Sequence, residues 1–457
     1  MGSSSSSSAG AASSSAPAAT AATAYHPFGA VNRPLRERFP SIPSVVARAV
    51  QQNPRGTSTI QANRTRTWAE TGKRVARLAG ALKHDLRLTR AGRVGIIALN
   101  SDRYLETFFA VALGGGIVVP INIRLAPAEM VEQLQDCEME VVLVDDAFAG
   151  VVPALKQQVK SLRHVVYCGD APQPPAGKGF DATYEDVVAK ASKPASLDDA
   201  DVPGGHDTFG IFYTGGTTGK SKGVELSHAN IFVNALGHVA TLGYTRDTVY
   251  MCAVAAVRGG GGGLTPRRRH SAPMFHLADN SSTFGVSMAC AAHVFIPRFV
   301  PEDALDAIER WGVTNAMMVP AMVAMTLQSK AATASGRKLT SLRNIIYGAA
   351  PMPTALLQQA MSVFPNSTFT QGYGQSESSP ALTRGCWTLA CACSAERGLT
   401  PTRARVQSSP RSSTTPSTAC CSRWGGRCRG SRSRSWTRRG ARCRAARWAR
   451  SCHAART

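Results

Sequence analysis

No run of eighteen uncharged apolar residues occurs in the 457-residue chain. The nearest, Phe108 to Ile123, is broken by Gly114-Gly115-Gly116 and Pro120, so no membrane-spanning helix is expected. Residues 1–24 carry no charge, and no Lys or Arg precedes Arg33. This stretch is almost entirely Ser, Ala, Gly and Thr, and residues 1–35 are expected to be disordered. Ser-richness and lack of acid suit an organelle-targeting segment, whereas the lack of base does not. Met1-Gly2 with Ser6 fits a myristoylation pattern, as any Ser run after Met-Gly would. Cytoplasmic and organellar locations both stay open. Residues 385–457 lack Ile, Met, Phe, Tyr, Asn, Asp and Lys altogether, which excludes an ordinary core there. That segment holds 16 Arg against one acid, Glu396, and eight of the 12 Cys. Its net charge is +15 and that of the other residues +8, so the whole-chain +23 describes neither part.

Between residues 40 and 384, short apolar strands alternate with helices. Helices are predicted from Pro43 through Val50, Arg74 to Leu86, Asp102 to Leu113, Pro301 to Trp311 and Ala355 to Phe364. In the third, Tyr104, Phe108 and Val111 share one face. Strands are predicted at Val94–Leu99, Glu140–Val144, His164–Cys168, Ala316–Val319 and Asn344–Tyr347. Buried strands between longer helices indicate an α/β fold with mostly parallel sheets. Cys252 to Arg269 breaks the pattern with five consecutive Gly and a triple Arg. The Cys spacings of the last segment complete no zinc pattern, and four Cys in the rest suit a reducing compartment.

The densest chemical signal is Phe212-Tyr-Thr-Gly-Gly-Thr-Thr-Gly-Lys-Ser-Lys-Gly-Val-Glu-Leu-Ser-His228. An apolar strand, Phe209 to Tyr213, runs into Thr214, Gly215, Gly216, Thr217, Thr218 and Gly219. Glycines let a backbone wrap phosphate oxygens, hydroxyls add donors, and Lys220 and Lys222 add positive charge. A plain Gly/Thr turn is the bland alternative. A Walker-type loop is the rival: Gly219-Lys220-Ser221 fits its end, but its first Gly would fall on Thr214. Such a loop also opens a helix, whereas Lys222–Leu226 reads as a strand.

The stretch resembles the phosphate loop of the acyl-adenylate-forming superfamily, which includes acyl-CoA synthetases, aryl-CoA ligases, luciferases and peptide-synthetase adenylation domains. Three further segments follow in the family's order. Pro273-Met-Phe-His276 is similar to the segment bordering the carboxylate-substrate pocket. Tyr347-Gly-Ala-Ala-Pro-Met352 is similar to the turn packing on adenine, and Gln371-Gly-Tyr-Gly-Gln-Ser-Glu377 to its Tyr-Gly-x-Thr-Glu motif. The resemblance implies a large N-terminal domain of sheets flanked by helices over residues 36–384. It implies that Thr214, Gly215, Gly216, Thr217, Thr218, Gly219 and Lys220 hold ATP phosphates and that Lys222 neutralises them. It also implies that Glu377 binds Mg²⁺, that Ser376 bonds the α-phosphate or the acid, and that Tyr373 and Gly374 with Gly348, Ala349 and Ala350 receive adenine. His276 would stand at the acid pocket. His276 as a bonded core residue, Glu377 as a solvated acid and Tyr373 as core are the plain alternatives. The implied activity is ATP-dependent ligation of a carboxylic acid to coenzyme A through an acyl-adenylate. Met274, Phe275, Leu277, Phe284, Val286, Met288, Met317 and Met318 suggest a fatty acid, with aryl acids such as hydroxycinnamates as the alternative.

The family continues past residue 384 with a ribose-binding Asp and a small domain carrying an assisting Lys. Neither motif is found there, so the chain as written is expected to be a poor catalyst. Residues 385–457 read as an out-of-frame segment and 252–269 as an aberrant insert; sequencing the transcript across both junctions tests this. The alternative is a basic, nucleic-acid-binding arm, which the core, at +8, does not support.

Overall fold

The computed structural model describes residues 40–199, 202–215, 221–255, 273–330, 332, 337–379 and 381–387. Residues 1–39, 256–272 and 388–457 lie outside it, and so do the readings made of the N-terminal stretch, of the Gly/Arg-rich segment past Ala255 and of the Arg-rich segment past Trp387.

Pro43 opens α1 (Pro43–Gln52), where a missing N–H costs nothing. A hairpin of β1 (Thr57–Gln61) and β2 (Arg64–Thr67) follows. Thr67 then caps α2 (Trp68–Gly80): its hydroxyl accepts from the Glu70 amide, and Glu70 accepts from the Thr67 amide at 2.7 Å. That capping box starts the helix earlier than periodicity suggests, and a π-helical turn, Ala81–Asp85, ends it. Next come β3 (Arg93–Ile97), α3 (Asp102–Leu113), β4 (Ile117–Pro120), α4 (Pro127–Asp136) and β5 (Val141–Val144). They are followed by α5 (Val152–Gln158), β6 (His164–Tyr167), β7 (Ala182–Thr183) and α6 (Tyr184–Lys190). The chain continues through β8 (Thr208–Thr214), β9 (Lys222–Ser227), α7 (His228–Leu242), β10 (Val249–Ala255), α8 (Leu277–Met288) and β11 (Ala292–Phe299). It ends with α9 (Pro301–Trp311), β12 (Asn315–Met317), α10 (Pro320–Gln328), β13 (Asn344–Tyr347), α11 (Thr354–Val363), β14 (Thr368–Gly374) and β15 (Ala381–Trp387).

Among the described residues the strands form two sheets, ordered β15-β14-β13-β12-β10-β11-β1-β2 and β7-β6-β5-β3-β4-β8-β9. Every pairing is parallel except β1/β2, β8/β9 and β14/β15, each of which adds an antiparallel strand at a sheet edge. Fully buried strands such as Val141–Val144 explain the unbroken apolar runs of the sequence. Two boundaries differ from the reading of the sequence. Cys252 to Ala255 continue β10, with Cys252 opposite Phe295, so the sheet takes in the start of the Gly/Arg-rich segment. β15 likewise runs three residues past Arg384, pairing Trp387 with Phe369.

Helix α3 is buried on all sides, not on the single face of Tyr104, Phe108 and Val111. Phe108 and Phe109 both meet Phe284 of α8 edge to face, at 5.6 and 5.8 Å. Its acids are paired inside. Asp102 bonds the Arg64 guanidinium at 2.6 and 2.8 Å and also pairs with Arg66. Glu106 accepts from Arg74 Nε and from the Tyr184 hydroxyl, each at 2.7 Å. Glu185 receives Arg74 and Arg103; burial alone would raise its carboxyl, but these bonds hold it at about 2. The four described cysteines are free thiols, and no helix among the described residues is long and apolar enough to cross a membrane.

Candidate active site

Strand β8 ends at Thr214 and pairs antiparallel with β9, so Thr214 lies opposite Lys222 and Tyr213 opposite Gly223. The phosphate-loop candidate therefore closes a hairpin. A Walker-type loop would run into a helix, and here Lys222–Ser227 is a strand. The Thr214 hydroxyl points back to the Lys222 carbonyl at 3.5 Å, and Lys222 is exposed. The stem is anchored by Tyr213, whose hydroxyl donates to Asp136 at 2.6 Å and lies 3.2 Å from the Gln133 carbonyl oxygen. Gly216, Thr217, Thr218, Gly219 and Lys220 lie outside the described residues.

The other two motifs meet on the larger sheet. β13 and β14 are neighbouring parallel strands with Tyr347 opposite Gln371. Tyr347–Met352 thus leaves the C-terminal end of β13 beside Gln371–Glu377, which runs out over the C-terminal end of β14, and open α/β sheets take ligands at such ends. Gly348 has a local reason to be glycine: a Cβ there would stand 2.6 Å from the Gly372 carbonyl oxygen. Its missing side chain makes room for β14. Ala349 follows in the left-handed region at φ +64° and is exposed, while Ala350 is half-buried. An alanine pays about 1–2 kcal/mol for that conformation. Ala349→Gly should raise the thermal midpoint and Ala349→Val should lower it; equal midpoints would mean the turn relaxes without strain.

Tyr373 and Gly374 end β14 exposed, Tyr373 to 63%. Ser376 and Glu377 sit in a one-turn 3₁₀ helix, Ser376–Ser378, held by Ser378 donating to the Gln375 carbonyl at 2.8 Å. Ser376 is half-buried and Glu377 exposed. Among the described residues no hydrogen bond or ion pair joins Lys222 to Glu377. Nor do three His, Cys, Asp or Glu side chains gather into a metal cage among them. A single exposed carboxylate does fit Mg²⁺, which keeps most of its positions for phosphate oxygens and water.

His276 precedes the first turn of α8 and is half-buried, its ring 4.4 Å from that of Phe275. The segment before it is fixed by a buried relay that sequence reasoning missed. The Met274 amide donates to Asn100 Oδ1 at 2.9 Å, and Asn100 Nδ2 donates to Cys252 Sγ at 2.9 Å. The Cys252 thiol and the Tyr250 hydroxyl donate to the Asp279 carboxylate at 2.8 and 2.7 Å. Burial lifts the Asp279 carboxyl to about 6 and pushes the Cys252 thiol up. No periodicity announces such a relay, since its members come from a loop, a strand and a helix.

The apolar side chains that suggested a fatty-acid pocket are core. Phe284 packs against Phe108, Phe109 and Phe209, and Met274, Leu277, Val286 and Met288 belong to the same buried cluster. Met318 fills the core of the larger sheet. Their place in the core accounts for their apolar character without a substrate.

The profile of the family described as AMP-binding enzyme matches residues 46–409. The 2-succinylbenzoate–CoA ligase of Arabidopsis thaliana is 29% identical over 333 residues, covering 71% of this chain and 55% of the relative. The long-chain-fatty-acid–CoA ligase of Thermus thermophilus is 28% identical, covering 69% of this chain and 53% of the relative. This chain spans about half the length of the curated relatives it matches. Among solved structures, the anthranilate CoA ligase AuaEII bound to anthranoyl-AMP superposes with a TM-score of 0.66 at 22% identity, covering 77% of this chain and 62% of that one. The N-terminal domain of FACL13 from Mycobacterium tuberculosis gives 0.61 at 22%, covering 75% and 78%. These likenesses show the fold: the large N-terminal domain of adenylate-forming enzymes.

Proposed function

Because the chain belongs to the family of AMP-binding enzymes, we propose that it carries the ATP site of a carboxylic acid–CoA ligase. The observation that supports this most is the pairing of β13 with β14, which sets Tyr347–Met352 beside Gln371–Glu377 with Gly348 against Gly372. In this reading the acid's carboxylate attacks the α-phosphorus of ATP, giving an acyl-adenylate and pyrophosphate. The coenzyme A thiol then attacks the acyl carbon and releases AMP. Tyr373 stacks on adenine, and Ser376 bonds the α-phosphate or the acid. Thr214, Thr217, Thr218 and the loop amides hold the phosphates. Lys222 spreads their charge, Glu377 offers its carboxylate to Mg²⁺, and His276 stands beside the acid. Such a site works mainly by placement and by offsetting charge. The relatives are named for aryl and for fatty acids, so both classes belong in the test.

Calorimetric titration of the full chain with Mg-ATP should show binding, and pyrophosphate exchange should depend on an added acid. Lys222→Ala and Glu377→Gln each remove a charge-assisted contact worth about 1.5–3 kcal/mol, so each should weaken Mg-ATP at least about tenfold. No binding by the unaltered chain, or equal binding by both variants, would overturn the reading. Exchange with amino acids alone would exclude a CoA ligase.

A further inference from the structure

His276 stands between two fixed points of the chain. Before it, the buried Met274 amide donates to Asn100 Oδ1 at 2.9 Å. After it, the buried Asp279 carboxylate accepts from the Tyr250 hydroxyl at 2.7 Å, the Cys252 thiol at 2.8 Å and the Thr283 hydroxyl at 3.3 Å. The backbone between is a tight turn: the His276 amide donates to the Pro273 carbonyl at 2.9 Å, and the His276 carbonyl accepts from the Asp279 amide at 3.2 Å. The His276 ring lies 4.4 Å from that of Phe275, which is buried and has the Arg124 guanidinium over it at 5.8 Å.

The two fixed points are tied to different sheets, and one side chain joins them. Asn100 follows β3 of the smaller sheet, in a loop held by the Leu99 amide donating to Asp145 at 2.7 Å. Cys252 is in β10 of the larger sheet, and Asn100 Nδ2 donates to its Sγ at 2.9 Å. A side-chain amide both accepts and donates, so Asn100 serves Met274 and Cys252 together, which neither a carboxylate nor an apolar side chain could do. The donors all point one way, from Met274 through Asn100 and Cys252 to Asp279, and bonds in such a chain strengthen one another. Asn100, Cys252 and Asp279 are almost fully buried, so a bond deleted there is not replaced from solvent.

We propose that Asn100 is a positioning residue for His276, acting through the Met274 backbone and together with Cys252, so that both sheets fix where the ring stands. The inference rests on the ligase reading and deepens it. His276 stands beside the acid in that reading, so the seat of the acid depends on the tie between the sheets. The residues assigned to ATP take no part in the relay.

The test uses the full chain with isotope-labelled histidine, the His276 ring signals being identified by their loss in His276→Gln. Asn100→Ala and Cys252→Ala should each move those signals in the unliganded protein. Cys252→Ser should return them, because its hydroxyl can accept from Asn100 and donate to Asp279. With Mg-ATP present, the two alanine variants should bind dodecanoate or 4-hydroxycinnamate about tenfold more weakly, the scale of one buried hydrogen bond, and Cys252→Ser should come back to within about threefold. Mg-ATP affinity should stay within about twofold in all three, since separate sites respond independently. Unmoved ring signals in both alanine variants, a shift that Cys252→Ser leaves in place, an acid affinity unchanged by a moved ring, or Mg-ATP weakened as much as the acid would each overturn the proposal. Unfolding of both alanine variants would overturn it too, because the pair would then hold up the fold and not one side chain. Ring signals that move as expected while the unaltered chain binds neither acid would uphold the positioning and fail the ligase reading.

Discussion

Glu106→Ala should destabilise the protein by about 3–5 kcal/mol, enough to remove a large fraction of the stability of an ordinary domain. The Glu106 side chain is fully buried and serves three partners: Arg74, the Tyr184 hydroxyl and, at 3.7 Å, Arg66. Its removal leaves the Tyr184 hydroxyl without its acceptor in the interior. It also leaves Arg66 and Arg74 with one carboxylate fewer, both guanidinium groups being largely shielded from water. An exposed pair such as Lys190–Asp186 offers a contrast, since pairs of that kind contribute about 1 kcal/mol or less. Urea unfolding of Glu106→Ala beside Asp186→Ala checks this. A loss below about 1 kcal/mol for Glu106→Ala would mean that water reaches the cluster and solvates the arginines.

The parallel sheets were legible because their strands are short apolar runs between helices, as at Asn344–Tyr347, where the predicted and observed bounds coincide. The Glu106 cluster left a trace too. Arg64 and Arg66 sit two apart on β2, on one face of the strand, while Asp102 and Glu106 sit four apart on α3, on one face of the helix. Periodicity reported one apolar face for α3, because it cannot register acids that are buried and paired.

Helix α8 was illegible for the same reason taken further. Its sequence, LADNSSTFGVSM, has no apolar stripe, and Ser281 and Ser287 return their hydroxyls to its own backbone. The site was legible where backbone chemistry dictates composition. Lys222–Leu226 read as a strand and is one, and that separates this hairpin from a Walker-type loop. Gly348 was noticed for a ligand, yet its nearest constraint is the neighbouring strand. Contacts between elements distant in sequence, such as Asn100 with Met274, have no local signature.

His293→Phe should make the protein more acid-tolerant. His293 is fully buried, lies parallel to Phe295 with ring centroids 5.9 Å apart, and meets Trp68 and Tyr250 edge-on. Burial holds its imidazole down at about 3, against 6.5 for the free group. Burial likewise lowers His228, whose Nδ1 accepts from the Ile42 amide, to about 4. A histidine depressed in this way leaves stability intact above pH 6.5. Below that, the unfolded chain takes up the proton and the folded one does not, so stability falls until the folded value is reached. The opposite sign holds for Asp279 and Asp145, both raised to about 6 chiefly by burial. Their folded forms take up protons first as pH drops from 6 towards 3.8, which offsets part of the loss. Substituting His293 removes one destabilising proton and leaves both stabilising ones. At pH 7 the variant should be less stable by about 1 kcal/mol, from the lost bond with Ser287 at 3.1 Å. At pH 4 the comparison should have shifted by about 3 kcal/mol in its favour. Chemical unfolding of both proteins at the two pH values measures that shift. A difference that stays constant with pH would show that His293 is protonated inside the folded protein, and that the Trp68–Tyr250–Phe295 pocket tolerates its charge.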